Sequence, residues 1–217
     1  MKTVIVSALA LCLGLSGAQA LAQDSASFTQ SVEGLDRQDG LIALYPDPAQ
    51  GRVLAALTAQ ADGTLGRMIY TARLTSGLGS NPVGLDRGLG SDTWILRFSR
   101  VGEAVFAEFE NTRYAALGAG ADEQAATAQS FARSVIWRTD IVSESADGEV
   151  LIDLSGFLKR DPIDAAGALD NAGQGAFSVN ADRSAPLADS VLSFPENIEI
   201  DALLTLTSTN PGSEVYA

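Results

Sequence analysis

The sequence predicts an α+β fold: a mostly antiparallel sheet of about seven or more strands, one main helix over residues 123–134, and some short helices. Three observations lead there. Side-chain character alternates with period two from Trp94 to Glu110 and again from Ile198 to Thr207. Turn chemistry at Pro46–Gly51, Asp62-Gly63 and Asp147-Gly148 punctuates short apolar runs. Only Ala125, Ala128, Phe131, Ala132 and Val135 recur at three- and four-residue spacing. A β-sandwich with peripheral helices is the alternative arrangement.

Residues 1–20 read as a targeting signal. Lys2 is followed by a short apolar run, Val4 to Leu15, and by the small-x-small site Ala18-Gln19-Ala20. Export to the periplasm or beyond the cell is therefore expected, with no membrane anchor after cleavage. Leu11 ahead of Cys12 does not suit a lipobox, so Cys12 is expected to leave with the signal. Residues 21–38 are polar and small and read as a flexible leader. A single β-rich domain is expected over 39–208.

Within it, Leu41–Tyr45 and Arg52–Thr58 make a hairpin, and Met68–Leu74 gives a further strand. The central hairpin places Trp94, Leu96 and Phe98 on one face and Ile95, Arg97 and Ser99 on the other. On its return limb Val105, Ala107 and Phe109 alternate with Phe106, Glu108 and Glu110. Asp122 is the expected cap of the main helix, with Arg133 in its last turn. Val135–Ser143 and Glu149–Asp153 are paired strands. Ser155–Arg160 is a helical turn, and Asp161-Pro162 opens a short helix over Ile163–Asp170. Ile198–Thr207 is the longest clean alternation and reads as one strand. Residues 209–217 carry turn chemistry and read as a linker towards an absent downstream domain.

Composition excludes several chemistries. The chain has no His, and its one Cys is Cys12. Ser-His-Asp triads, imidazole bases, His-containing zinc sites and thiolate chemistry are unavailable to the mature domain. A net charge of −13, from 27 acidic and 14 basic residues, argues against non-specific binding to nucleic acid or anionic membrane.

The most distinctive stretch is the glycine-rich loop before the central hairpin. Long loops inside compact domains are often functional, and Gly79, Asn81, Asp86, Arg87 and Asp92 are the candidate interaction residues. The spacing of Gly79 and Gly84 suits a phosphate loop, but Leu85 and Asp86 stand where Lys and Ser or Thr belong. Asn81, Asp86 and Asp92 offer oxygen ligands for calcium without the spacing of an EF-hand. The serines of the loop lie in no nucleophile elbow, and no pair of carboxylates stands out for glycosidase work. An Asp86–Arg87 ion pair pinning the loop is expected. No catalytic, cofactor-binding or metal-ligating residue is assigned.

Ser76–Ala116, with its GLDRG core, resembles the N-terminal region, of unknown function, of large secreted bacterial zinc-dependent metalloproteases. The resemblance continues through Ser130–Val142, Val150–Asp161 and Asp182–Ser208. It implies a metzincin-like catalytic domain downstream, with zinc on an H-E-x-x-H helix there and no cofactor in this chain. It also implies that this region serves that domain in cis, as pro-region or scaffold. Latency through Asp86 or Asp92 on the zinc is one form of that role. A stand-alone peptide- or glycan-binding module is the alternative.

Overall fold

The structure, a computed structural model, describes residues 28–79, 82–114, 118 and 120–215. The expected signal at 1–20, and Asn81, lie outside these residues. Seven antiparallel strands form one curled sheet. They are β1 (Ala43–Asp47), β2 (Arg52–Thr58), β3 (Gly66–Tyr70), β4 (Trp94–Val101), β5 (Ala104–Phe109), β6 (Ser134–Glu144) and β7 (Glu149–Asp153). Their spatial order is β1-β2-β7-β6-β5-β4-β3. The sheet is a half-barrel, mostly antiparallel with a few short helices, and agrees with a broadly α+β reading.

The alternation along the strands sorts the two faces. Leu44, Val53, Ala55, Leu57, Leu96, Phe98, Val105, Ala107, Val150 and Ile152 point inward to one core. Strand β6 is the longest, with 11 residues, and joins the two halves of the sheet. Its pairing with β5 shifts register after Trp137↔Ala107, so that Val135 comes opposite Glu108. This bulge lets the consecutive residues Ile136 and Trp137 both pack on the main core, which regular alternation forbids.

Several elements differ from expectation. The main helix is α1 (Ala121–Ser130), which stops four residues early. Its N-cap is Gly120 without a side-chain bond, so Asp122 serves in the first turn, where its charge suits the helix dipole. Phe131 is already extended. The helical spacing was carried mainly by alanines, and most of this helix remains exposed.

The turn after β7 is α2 (Ser155–Leu158). The next helix, α3 (Ala165–Asn171), starts later than expected. Asp161 accepts from the N–H groups of Ala165 and Ala166 at 2.9 Å each, and Asp164 is the N-cap at φ 56°.

The expected long strand over 198–207 is instead three short ladders. These are β11 (Asn197–Glu199) with β10 (Leu192–Phe194), β12 (Ala202–Leu203) with β9 (Ala185–Pro186), and β13 (Leu206–Thr207) with β8 (Ser178–Val179). The alternation arose because this segment coats the core on one side. Ile198 and Ile200 reach the main core, and Leu206 reaches a smaller cluster around α3.

The N-terminal leader is also packed over its described part. Phe28 is buried in a helical turn at 28–31 and meets Tyr45 edge-on at 6.4 Å. Ala43, Leu54, Ala56 and Leu151 complete this outer cluster, flanked by Val32 and Leu35. Arg37 then clamps Glu149 through two bonds of 2.7 and 3.0 Å and donates to the Tyr45 hydroxyl at 2.8 Å. At the other end, within the expected linker, the Gly212 N–H donates to the Gln174 carbonyl at 2.8 Å, and Val215 packs on the α3 cluster.

Truncating a buried phenylalanine typically costs about 3 kcal/mol or more. Phe28→Ala is therefore expected to lower unfolding stability by about 3 kcal/mol in urea. A flexible leader predicts no change.

Candidate functional site

Glu108 is the one charged residue of β5, whose sequence is AVFAEF. Its side chain is only 2% exposed. Alternation puts it on the convex face, directly across from Arg97 of β4. Arg97 Nη2 donates to Oε2 at 3.2 Å, and the Ser99 hydroxyl donates to Oε1 at 2.5 Å. Arg133 comes from the segment between α1 and β6. Its Nε donates to Oε2 at 2.7 Å, and its Nη2 donates to Oε1 and, at 3.1 Å, to Ser99 Oγ.

A buried carboxylate survives only with such partners. Arg133 first, then Ser99 and Arg97, hold the Glu108 carboxyl down to about 2 from an ordinary 4.5, against burial, which pushes it up. Two guanidinium groups share this one carboxylate, so the cluster carries one surplus positive charge. The neighbouring Glu110 does not offset it, being taken by Arg67 at 2.9 Å. Arg97 Nε is enclosed and donates to nothing among the described residues.

A cleft of about 370 Å³ opens at this cluster. Arg97, Glu108 and Arg133 line it together with Tyr114 and Phe131, whose rings stack at 4.9 Å and 8°. Gln124 and Thr127 of α1 close another side. A carboxylate with a pKa near 2 does not exchange protons at neutral pH. The cluster is suited to holding an acceptor group in place, with donors already fixed by Glu108.

The glycine-rich loop is built differently. Gly79, Asp86, Arg87 and Asp92 are exposed along it and do not converge. Asp86 and Arg87 form no ion pair, with each other or with any described residue. The expected pin is replaced by Val83 and Leu85, which bury against Ala165 and Leu169 of α3. Leu78 N–H donates to the Leu85 carbonyl, and Gly88 N–H to the Leu74 carbonyl, both at 2.8 Å. A Cβ at Gly77 would lie 2.3 Å from the Leu85 carbonyl oxygen, so glycine is required where the two limbs meet. Among the described residues no three carboxylates gather into a metal-sized group. No helix among them is long and apolar enough to cross a membrane.

Residues 88–216, more than half of the chain, match the family described as a domain of unknown function, DUF5117. The chain belongs to that family. No curated protein and no solved structure matches it. The DUF5117 match takes in β4 to β13 and all the residues around Glu108. It leaves out β1 to β3 and most of the glycine-rich loop. Sequence reasoning put Arg97 and Glu108 in alternating sets on the two limbs of the hairpin but gave them no role. The available signal was a single carboxylate inside an otherwise apolar strand, facing an arginine across the hairpin.

Two outcomes follow for this cluster. Glu108→Gln leaves two arginines without their counter-charge and should cost about 3 kcal/mol in chemical denaturation. Above pH 4.5 the Glu108 stabilisation is fully present; as pH falls the unfolded chain takes up the proton first, and the stabilisation fades towards pH 2. Between those values the thermal midpoint of the wild type should fall more steeply than that of Glu108→Gln. In the loop, Gly77→Ala should destabilise by about 2 kcal/mol, measured by thermal unfolding.

Proposed function

We propose that this domain is a non-catalytic recognition domain, exported with its chain, that serves a zinc-dependent metalloprotease domain downstream as scaffold or pro-region. The Glu108 cluster carries the reading. It fixes two guanidinium groups in a cleft, holds a surplus positive charge there, and leaves its own carboxylate unable to act as acid or base near neutral pH. Groups so arranged bind an acceptor on a partner and do not turn over a substrate. The stacked Tyr114 and Phe131 add a flat apolar wall, the kind of anchor that dominates binding surfaces. The sequence resemblance between Ser76 and Ser208 supplies the partner: a metzincin-like domain in cis, which would hold the zinc.

The well-packed limbs of the glycine-rich loop support a presented surface. Asp86 and Asp92 stand exposed on it, free of ion pairs to described residues, and are the groups a latency contact would use.

The test is a binding titration between this chain and a separately expressed H-E-x-x-H domain from the same gene. Tyr114→Ala, which leaves the Glu108 bonds intact, should weaken association by about tenfold or more without lowering thermal stability. Equal affinity of the variant, or no association at all, would remove this reading. Asp86→Ala should raise protease activity if the loop enforces latency.

A further inference from the structure

The arginines of the chain fall into three groups. Arg37, Arg52, Arg67, Arg97, Arg100, Arg133 and Arg138 are ion-paired. Arg73, Arg87, Arg113 and Arg183 are exposed. Arg160 alone is part-buried with no carboxylate in ion-pairing distance among the described residues.

It follows α2 and lies on the concave side of the sheet, opposite the Glu108 cluster. Its guanidinium carbon sits 4.1 Å from the centre of the Phe157 ring, and Nε donates to the Phe157 carbonyl at 3.2 Å. Nη2 is enclosed and donates to nothing among the described residues. Burial lowers the pKa of this guanidinium, opposed by the weaker influence of the Tyr70 hydroxyl.

Phe157 is the hub of an aromatic group. Tyr70 meets it edge-on at 5.5 Å and Trp137 at 5.6 Å. Tyr70 also meets Phe109 at 5.9 Å, and Phe109 stacks on the half-exposed Trp94 at 5.0 Å. The Tyr70 hydroxyl has no partner among the described residues, and burial raises its pKa. Two donors, the Tyr70 O–H and the Arg160 fork, thus border one aromatic ring without an acceptor between them.

A part-buried cation without a counter-charge is costly, and so is its enclosed N–H without an acceptor. We infer that Arg160 and Tyr70 form a binding site for a carboxylate borne on a flat apolar group, as at the chain end or an acidic side chain of a peptide. One guanidinium balances one negative charge, which favours a carboxylate over a doubly charged phosphate. Planar geometry matches the guanidinium fork, and the Trp94–Phe109 pair offers the apolar group a face to stack on. This site stands apart from the protease reading, since neither Arg160 nor Tyr70 borders the Glu108 cleft and of its groups Phe109 alone does.

The chain has two tryptophans, Trp94 and Trp137, and both belong to this aromatic group, so ligand binding is readable by fluorescence. The full chain is titrated with N-acetylphenylalanine, with its uncharged amide, and with a blocked dipeptide amide carrying phenylalanine and glutamate. A saturable fluorescence change with either carboxylate, absent with the amide, is expected. The first ligand reports chain-end recognition and the second side-chain recognition. Arg160→Gln should weaken binding by about ten- to a hundredfold, as for loss of a charge-assisted bond. Tyr70→Phe should weaken it by a smaller factor. Arg160→Lys keeps the charge without the fork, and its weakened binding covers the case of a glutamine variant that does not fold. Equal response to acid and amide, unchanged affinity in both Arg160 variants, or no saturable change with either carboxylate overturns the assignment.

Discussion

A carboxylate inside a β-sheet must be met by donors from every side, and Glu108 imposes that demand on its surroundings. Arg97 meets it from across the hairpin, and Ser99 from one step along the same strand. The third partner must come from the opposite direction, where the chain enters β6. Arg133 fills that place with a bidentate grip. A helical residue 133 would point elsewhere, so α1 has to end before it. Phe131 then becomes available to stack on Tyr114. One buried charge thus links the register of two strands, the end of a helix and the wall of a cleft.

The two faces of the half-barrel differ in how their charges are partnered. On the convex face arginines and carboxylates pair across neighbouring strands, Arg67 with Glu110 and Arg97 with Glu108; Arg100 and Glu144, opposite the core residues Val105 and Val150, pair on the other face through two bonds of 2.8 Å. The exposed Arg67–Glu110 and Arg100–Glu144 pairs are each worth little alone, unlike the contacts of the buried Glu108. Away from the Arg100–Glu144 pair the concave face is largely apolar, and Arg160 lies there against Phe157. A cation there has no neighbour of opposite sign to soften its desolvation. That contrast separates a lattice of internal pairs from a group whose partner comes from outside.

Much of the sheet was legible in the sequence because alternation and turns are local signals. The β1–β2 and β4–β5 hairpins and the faces of Trp94 to Glu108 follow from them directly. The helix expected at 123–134 is present but ends at Ser130, because alanine spacing reports helical preference without reporting burial, and because the pull of Glu108 on Arg133 is a tertiary effect. The single strand at 198–207 failed because one-sided burial produces the same alternation as a continuous ladder. The candidate loop residues were exposed polar groups, conspicuous in sequence, whereas Leu85 between them is what anchors the loop. Arg97, Glu108, Arg133 and Arg160 were unreadable as sites, since their meaning lies in which partners they have and lack.

Strand β2 pairs with β7, whose partner residues lie some hundred positions later: Leu54 faces Asp153 and Ala56 faces Leu151. The Leu41 N–H waits for the carbonyl of Phe194, and Ser193 closes on the Ile42 carbonyl from 151 residues away. Such separations slow folding, because the entropy of closing the loop is spent before the contact is gained. A chain made from its N-terminus can form the β1–β2 hairpin early, yet one edge of that hairpin stays unpaired until β7 arrives. During that interval the apolar strand Val53–Leu57 is open to wrong partners. The order of strands in the sheet therefore makes synthesis, more than the finished fold, the stage at which this domain is most exposed to aggregation.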